Sequence, residues 1–70
     1  MTQSNTFLLN GQKYCVKQKI NLFDLINYFN YNGSLLVLEY NNSICNQKNW
    51  EKTFIKENDK IEIVTIVGGG

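Results

Sequence analysis

Thr6-Phe7-Leu8-Leu9-Asn10-Gly11-Gln12-Lys13-Tyr14-Cys15-Val16-Lys17 is the stretch on which the fold turns. Two runs of strand-forming residues flank Asn10-Gly11, and Asn-Gly supplies the positive-φ pair that a type I′ hairpin turn requires. The period then changes. Leu22, Leu25, Ile26 and Phe29 recur at helical spacing, so their apolar stripe is expected to face the sheet. Asn21 is a suitable N-cap, Asp24 places a negative charge in the first turn, and Asn32-Gly33 supplies a stop.

Outward from that unit, residues 35–40 (Leu-Leu-Val-Leu-Glu-Tyr) read as a largely covered strand. Asn41-Asn42 turns the chain, since Asn tolerates left-handed backbone, and Ser43-Ile44-Cys45 pairs back briefly. Trp50 and Phe54, four apart, predict a short helical turn fastened to the core, and Glu57-Asn58-Asp59 signals another turn. Residues 60–67 close the chain as an alternating strand. Ile61, Ile63, Thr65 and Val67 share one face, and Lys60, Glu62, Val64 and Ile66 share the other. One helix covers only one face of a sheet, which predicts an α+β domain with a mixed four- to five-stranded sheet. That arrangement is a ubiquitin-like β-grasp, with first and last strands parallel and adjacent at the centre. The domain is expected over residues 6–67, with a polar lead at 1–5 and a glycine tail at 68–70.

Composition narrows the function. Seventy residues and 8.1 kDa hold one domain, which buries only about 60% of its unfolded surface. A net charge of +1 with 19% charged residues lacks the basic face of a nucleic-acid binder or a membrane-surface helix. No apolar run approaches a membrane span. Histidine does not occur and every basic residue is lysine. A His-based nucleophile pair, a His-bearing metal site and a guanidinium phosphate clamp are therefore excluded. Cys15 and Cys45 lack CxxC spacing and read as reduced, partly buried thiols. The polar residues after Met1 show neither a signal peptide nor a transit segment. Abundant Asn, Ile, Lys, Tyr and Phe, with no Ala, Pro or Arg, suit an AT-rich genome. The expected location is cytoplasmic, or the plastid stroma if the gene is organellar.

The end, Ile66-Val67-Gly68-Gly69-Gly70, carries the chemistry. Without Cβ atoms, Gly68 and Gly69 can thread a narrow channel in another protein, and the Gly70 carboxylate is left unhindered. The alternative for such an end is simple fraying.

Residues 57–70, Glu-Asn-Asp-Lys-Ile-Glu-Ile-Val-Thr-Ile-Val-Gly-Gly-Gly, resemble the thiamine-biosynthesis sulfur-carrier family (ThiS). Trp50 followed by Thr53, the Asn10-Gly11 turn and the leucine-rich segment from Leu22 to Phe29 match as well, so the likeness spans nearly everything after Asn5. Asn58 stands where the family usually has Gly, and Asn46-Gln47-Lys48 replaces a Pro-Arg pair. The resemblance implies that an E1-like adenylating enzyme, using ATP and Mg²⁺, activates the Gly70 carboxylate. A persulfide from a cysteine desulfurase then converts it to a thiocarboxylate for thiazole synthase. The carrier itself is a monomeric co-substrate that binds no cofactor, metal, nucleic acid or membrane.

Val64 and Ile66, beside Lys60 and Glu62, are candidates for a partner-binding patch; the alternative is that a neighbouring element covers them as core. Asp59 and Glu62 are weighed as a charged rim against ordinary solvated charges. Direct sulfur acceptance by Cys15 or Cys45 has no activating neighbour in sequence to support it. Two readings share the diglycine logic, the small subunit of molybdopterin synthase and a ubiquitin-like protein modifier. A stand-alone binding domain does not need the glycines.

Overall fold

The computed structural model describes residues 4–66. Strands β1 (Asn5–Leu9) and β2 (Gln12–Val16) form the expected hairpin, with Asn10 at φ 51° and Gly11 at φ 80°. β1 begins at Asn5, one residue ahead of the expected domain boundary, and Asn5 pairs with Val16.

Helix α1 (Leu22–Tyr28) starts as its sequence dictates. The Asn21 side chain accepts the Asp24 N–H at 2.7 Å, and the Asp24 carboxylate accepts the Asn21 N–H at 3.1 Å. This reciprocal box satisfies two of the free donors at a helix start. The stop is not at Asn32-Gly33. Asn30 takes the left-handed conformation at φ 60°, and Tyr31 N–H reaches back to Ile26 C=O at 3.0 Å, a Schellman ending. Asn32 instead caps a 3₁₀ turn, Gly33–Leu35, by accepting the Ser34 N–H.

β3 (Leu36–Tyr40) turns through Asn41 and Asn42, both at positive φ, into the short β4 (Ser43–Ile44). A 3₁₀ helix (Gln47–Lys52) and a turn at Asn58 (φ 69°) lead to β5 (Lys60–Thr65). The sheet order is β2-β1-β5-β3-β4. β5 lies parallel to β1, with Leu9 beside Ile61, and antiparallel to β3, with Leu38 beside Ile63. This is the β-grasp arrangement: a mixed five-stranded sheet with its first and last strands adjacent and one main helix across one face.

The core lies between that face and α1. Phe7 and Leu9 of β1, Leu36 and Leu38 of β3, and Ile61 and Ile63 of β5 meet Leu22, Leu25 and Ile26 of the helix. Trp50 is buried at 2% exposure and its indole N–H donates to Cys45 C=O at 2.9 Å, so it fastens the 3₁₀ helix as expected. Phe54 is a correction. Helical geometry stops at Lys52 and Thr53 is extended, so Ile55 rather than Phe54 points into the core. Phe54 remains half-buried beneath the Lys19 ammonium, 4.8 Å from the ring centroid.

Asp59 corrects a second expectation, being neither an ordinary solvated charge nor part of a charged rim. It is 7% exposed, and its carboxylate accepts from the Tyr40 hydroxyl at 2.6 Å, Lys56 N–H at 2.7 Å and Asn41 Nδ2 at 3.1 Å. The donors are neutral, and a charged acceptor makes each of these bonds stronger than a neutral pair would be. The side chain ties β3, the Asn41 turn and the start of β5 together.

Candidate functional site

β5 occupies the middle of the sheet and leads the chain toward its last residues. Its alternation is sharp. Ile61 and Ile63 are 0% and 7% exposed, whereas Val64 and Ile66 are 60% and 52% exposed. The core reading of Val64 and Ile66 is thereby removed, since no element of the described residues covers them. The face away from the helix is bare.

Register assembles the rest of that surface. Val64 lies opposite Val37, Glu62 opposite Glu39, and Leu8 of β1 beside Lys60. Lys60 Nζ stands 3.9 Å from a Glu62 carboxylate oxygen, with both side chains about half exposed. Exposed Leu8, Leu35 and Ile44 extend the apolar part of the surface. Sequence reasoning named Val64, Ile66, Lys60 and Glu62 but missed these three. Leu8 was legible as the odd residue between inward Phe7 and Leu9. Ile44 was not, because its strand has only two residues.

Ile66 N–H donates to Leu35 C=O at 2.7 Å, which holds the chain against the sheet one residue before Val67. Gly68, Gly69 and Gly70 lie outside the described residues. Around the exit the surface is apolar, with Leu35, Val64 and Ile66 exposed and the glutamates Glu39 and Glu62 one step back along the strands. Such a patch, apolar and bordered by charge, has the composition of a protein-docking surface.

The described residues hold no cluster of metal-ligating side chains and no helix long and apolar enough to cross a membrane. Tyr40 is the strongly perturbed group. Burial foremost, then its hydrogen bond to Asp59 and the charge of that carboxylate, push the phenol well above its usual range. Its partners are structural, so it marks the anchor of β5 rather than a reacting centre. Cys15 and Cys45 are both free thiols, Cys15 exposed on β2 and Cys45 half-buried beyond β4.

The ThiS family model matches residues 7–70. The ycf40 protein of Trieres chinensis is 66% identical over 70 residues, covering all of this chain and 96% of its own length. The ycf40 protein of Porphyra purpurea is 34% identical over 62 residues, 89% of this chain and 87% of that one. Among solved structures, the crystal structure of thiamine biosynthesis protein ThiS from Geobacter metallireducens superposes with a TM-score of 0.78 at 20% identity. That match covers 93% of this chain and 99% of the other. A solution structure of a thiamine biosynthesis protein from the same organism gives 0.76.

Proposed function

We propose, from the fact that this chain belongs to the ThiS family, that it is a sulfur carrier of thiamine biosynthesis loaded at Gly70. The observation that carries the mechanism is the bare outer face of β5. A partner gripping Leu8, Val64 and Ile66, with Lys60 and Glu62 setting register, is positioned to receive the residues that follow.

Each step asks little of the carrier. A Gly70 carboxylate oxygen attacks the α-phosphorus of ATP on an E1-like adenylating enzyme and pyrophosphate leaves; Mg²⁺ is that enzyme's requirement. The acyl-adenylate has a good leaving group, so the terminal sulfur of a persulfide drawn from a cysteine desulfurase attacks the acyl carbon and expels AMP. A thiol then reduces the acyl disulfide to the thiocarboxylate. Sulfur on a carboxyl carbon is a polarizable nucleophile at neutral pH, suited to delivery to thiazole synthase. Gly68 and Gly69 keep the approach narrow. The chain acts as co-substrate, and the acid–base work belongs to its partners. Likeness to ycf40 proteins and the AT-rich residue usage support an organellar gene and a stromal location.

The test is intact mass after incubation with the adenylating enzyme, ATP, Mg²⁺ and a persulfide source. The expected gain equals exchange of one oxygen for sulfur, absent when Gly70 is deleted. An unchanged mass with active enzymes refutes loading at Gly70. Thiazole formation in a reconstituted mixture separates this carrier from a molybdopterin synthase subunit, and an isopeptide-linked ladder identifies a protein modifier instead.

A further inference from the structure

A cavity lined by β2 and α1 residues lies apart from the outer β5 face. It measures about 450 Å³ and opens between the edge strand β2 and helix α1. Tyr14 and Val16 form one wall, Leu25, Tyr28 and Phe29 the other, and Ile20 closes one end. The aromatic rings are ordered against one another: Tyr14 meets Phe29 edge-on at 5.5 Å, and Tyr28 meets Phe29 edge-on at 5.1 Å. Tyr28 is nevertheless 80% exposed, leaving a large apolar surface at the mouth.

The strand beside this cavity is an open edge. Among the described residues β2 has one neighbour, β1, since the sheet order ends on it. In a hairpin with a two-residue turn, the pair flanking the turn exchanges hydrogen bonds, and so does every second pair beyond it. Leu9–Gln12, Phe7–Tyr14 and Asn5–Val16 are those pairs. The backbone N–H and C=O of Lys13 and Cys15 therefore point away from β1, toward an edge that no strand of the described residues occupies. Side chains of a strand added at this edge alternate, one set over the cavity and the other on the face of Lys13 and Cys15.

Charge selects the occupant. Lys13 is exposed on that outer face and Lys17 stands at the cavity mouth; among the described residues neither makes an ion pair. Asp24, on the helix side, is engaged with the Asn21 N–H. Two copies pairing through β2 would bring these lysines together, which opposes self-association at this edge. We propose that the β2 edge and the cavity behind it are a second docking site, taking an extended partner segment in which large aliphatic residues alternate with Asp or Glu. The aliphatic side chains fill the groove lined by Val16, Ile20, Leu25 and Tyr28, over the paired rings of Tyr14 and Phe29, and the acidic ones meet Lys13 and Lys17.

The probe is a synthetic peptide of about nine residues, long enough to span β2 with a margin at each end, alternating valine with aspartate. Titrated into isotopically labelled chain, it is expected to shift the Lys13 and Cys15 amide resonances and slow their hydrogen exchange. A peptide with lysine for aspartate is expected to bind at least about ten-fold more weakly, and added salt to erode the difference. Replacing both lysines, Lys13→Glu with Lys17→Glu, is expected to weaken the acidic peptide about three- to ten-fold. Cys15→Pro removes an outward N–H and is expected to abolish strand addition; should it fail to fold, the lysine pair carries the test. Deleting Gly69 and Gly70 is expected to change nothing, which separates this site from sulfur loading. No shift at millimolar peptide overturns the proposal, as do equal binding of the acidic and basic peptides, shifts centred on Val64, and self-pairing of β2.

Discussion

Ile61 and Ile63 against Val64 and Ile66 is a comparison within one strand, between residues of nearly equal hydrophobicity. The first pair is sealed under α1 and the second is more than half exposed. Side-chain chemistry does not separate them; the two-residue period and the single helix do. An apolar side chain on the covered face stabilises the fold. The same side chain on the bare face gains little by staying there, so its worth must lie in another molecule.

The sharpest break of that comparison is Ile61→Ala. Emptying this wholly buried site is expected to cost about 2–5 kcal/mol. A domain of this size rarely has more than about 3–5 kcal/mol in total, so a large unfolded fraction should appear by circular dichroism at 25 °C. A cooperative transition with unchanged urea midpoint would show that the inner face does not bear the fold.

Next come the acids of the two faces, Asp59 and Glu62. Asp59→Ala removes the acceptor shared by the Tyr40 hydroxyl, the Asn41 amide and Lys56 N–H, leaving the hydroxyl only its longer bond to Phe54 C=O, at an expected cost of about 2–3 kcal/mol read from urea denaturation. Glu62→Ala gives up only a half-exposed contact to Lys60 and should lie within about 1 kcal/mol of the parent. Equal effects would dissolve the distinction between them.

Val64→Asp reverses the logic. Stability should stay within about 0.5 kcal/mol, while the efficiency of adenylation falls about ten-fold or more. Normal thiocarboxylate formation by this variant removes the bare face from the mechanism.

Much of this division was legible beforehand, because period and turn chemistry are local. Asn10-Gly11, the Asn21–Asp24 box and the alternation of residues 60–67 led directly to the hairpin, the helix start and the two faces of β5. The failures were tertiary. Asn32-Gly33 is the more familiar helix terminator, but Asn30 sits where Tyr31 can dock on the core and close the Schellman bonds. Phe54 outweighs Ile55 in size, yet the change from 3₁₀ to extended backbone decides which one turns inward. Asp59 looked like a solvated turn residue, and only the meeting of Tyr40, Asn41 and Lys56 around it makes burial tolerable. The β2 cavity had no signal, since its walls come from segments separated by the hairpin exit.

A smaller effect sharpens the Asp59 side. The Tyr40 phenol is held above its usual value, so the folded state prefers it protonated. Its contribution is full below about pH 10, where the unfolded phenol ionises, and is lost as pH rises from there toward the folded value. The comparison that isolates this hydroxyl is with Tyr40→Phe. That variant should be less stable at pH 8 by roughly 1–2 kcal/mol, yet fall less steeply above pH 10. Parallel profiles would mean that Tyr40 ionises as freely in the fold as outside it.

The slightest change discriminates most between stabilising the domain and serving a partner. Glu39 and Glu62 lie directly opposite each other on the bare face, and like charges in that position destabilise a sheet. Glu39→Lys replaces repulsion by attraction and should stabilise the domain by about 0.2–1 kcal/mol, measured as a higher urea midpoint. If the acidic pair orients an adenylating partner, the same variant should be activated several-fold more slowly at low salt, with the deficit shrinking as salt is added. A gain in stability without that loss would assign the pair to neither fold nor docking, and would leave the apolar residues Leu8, Val64 and Ile66 as the whole of the recognition surface.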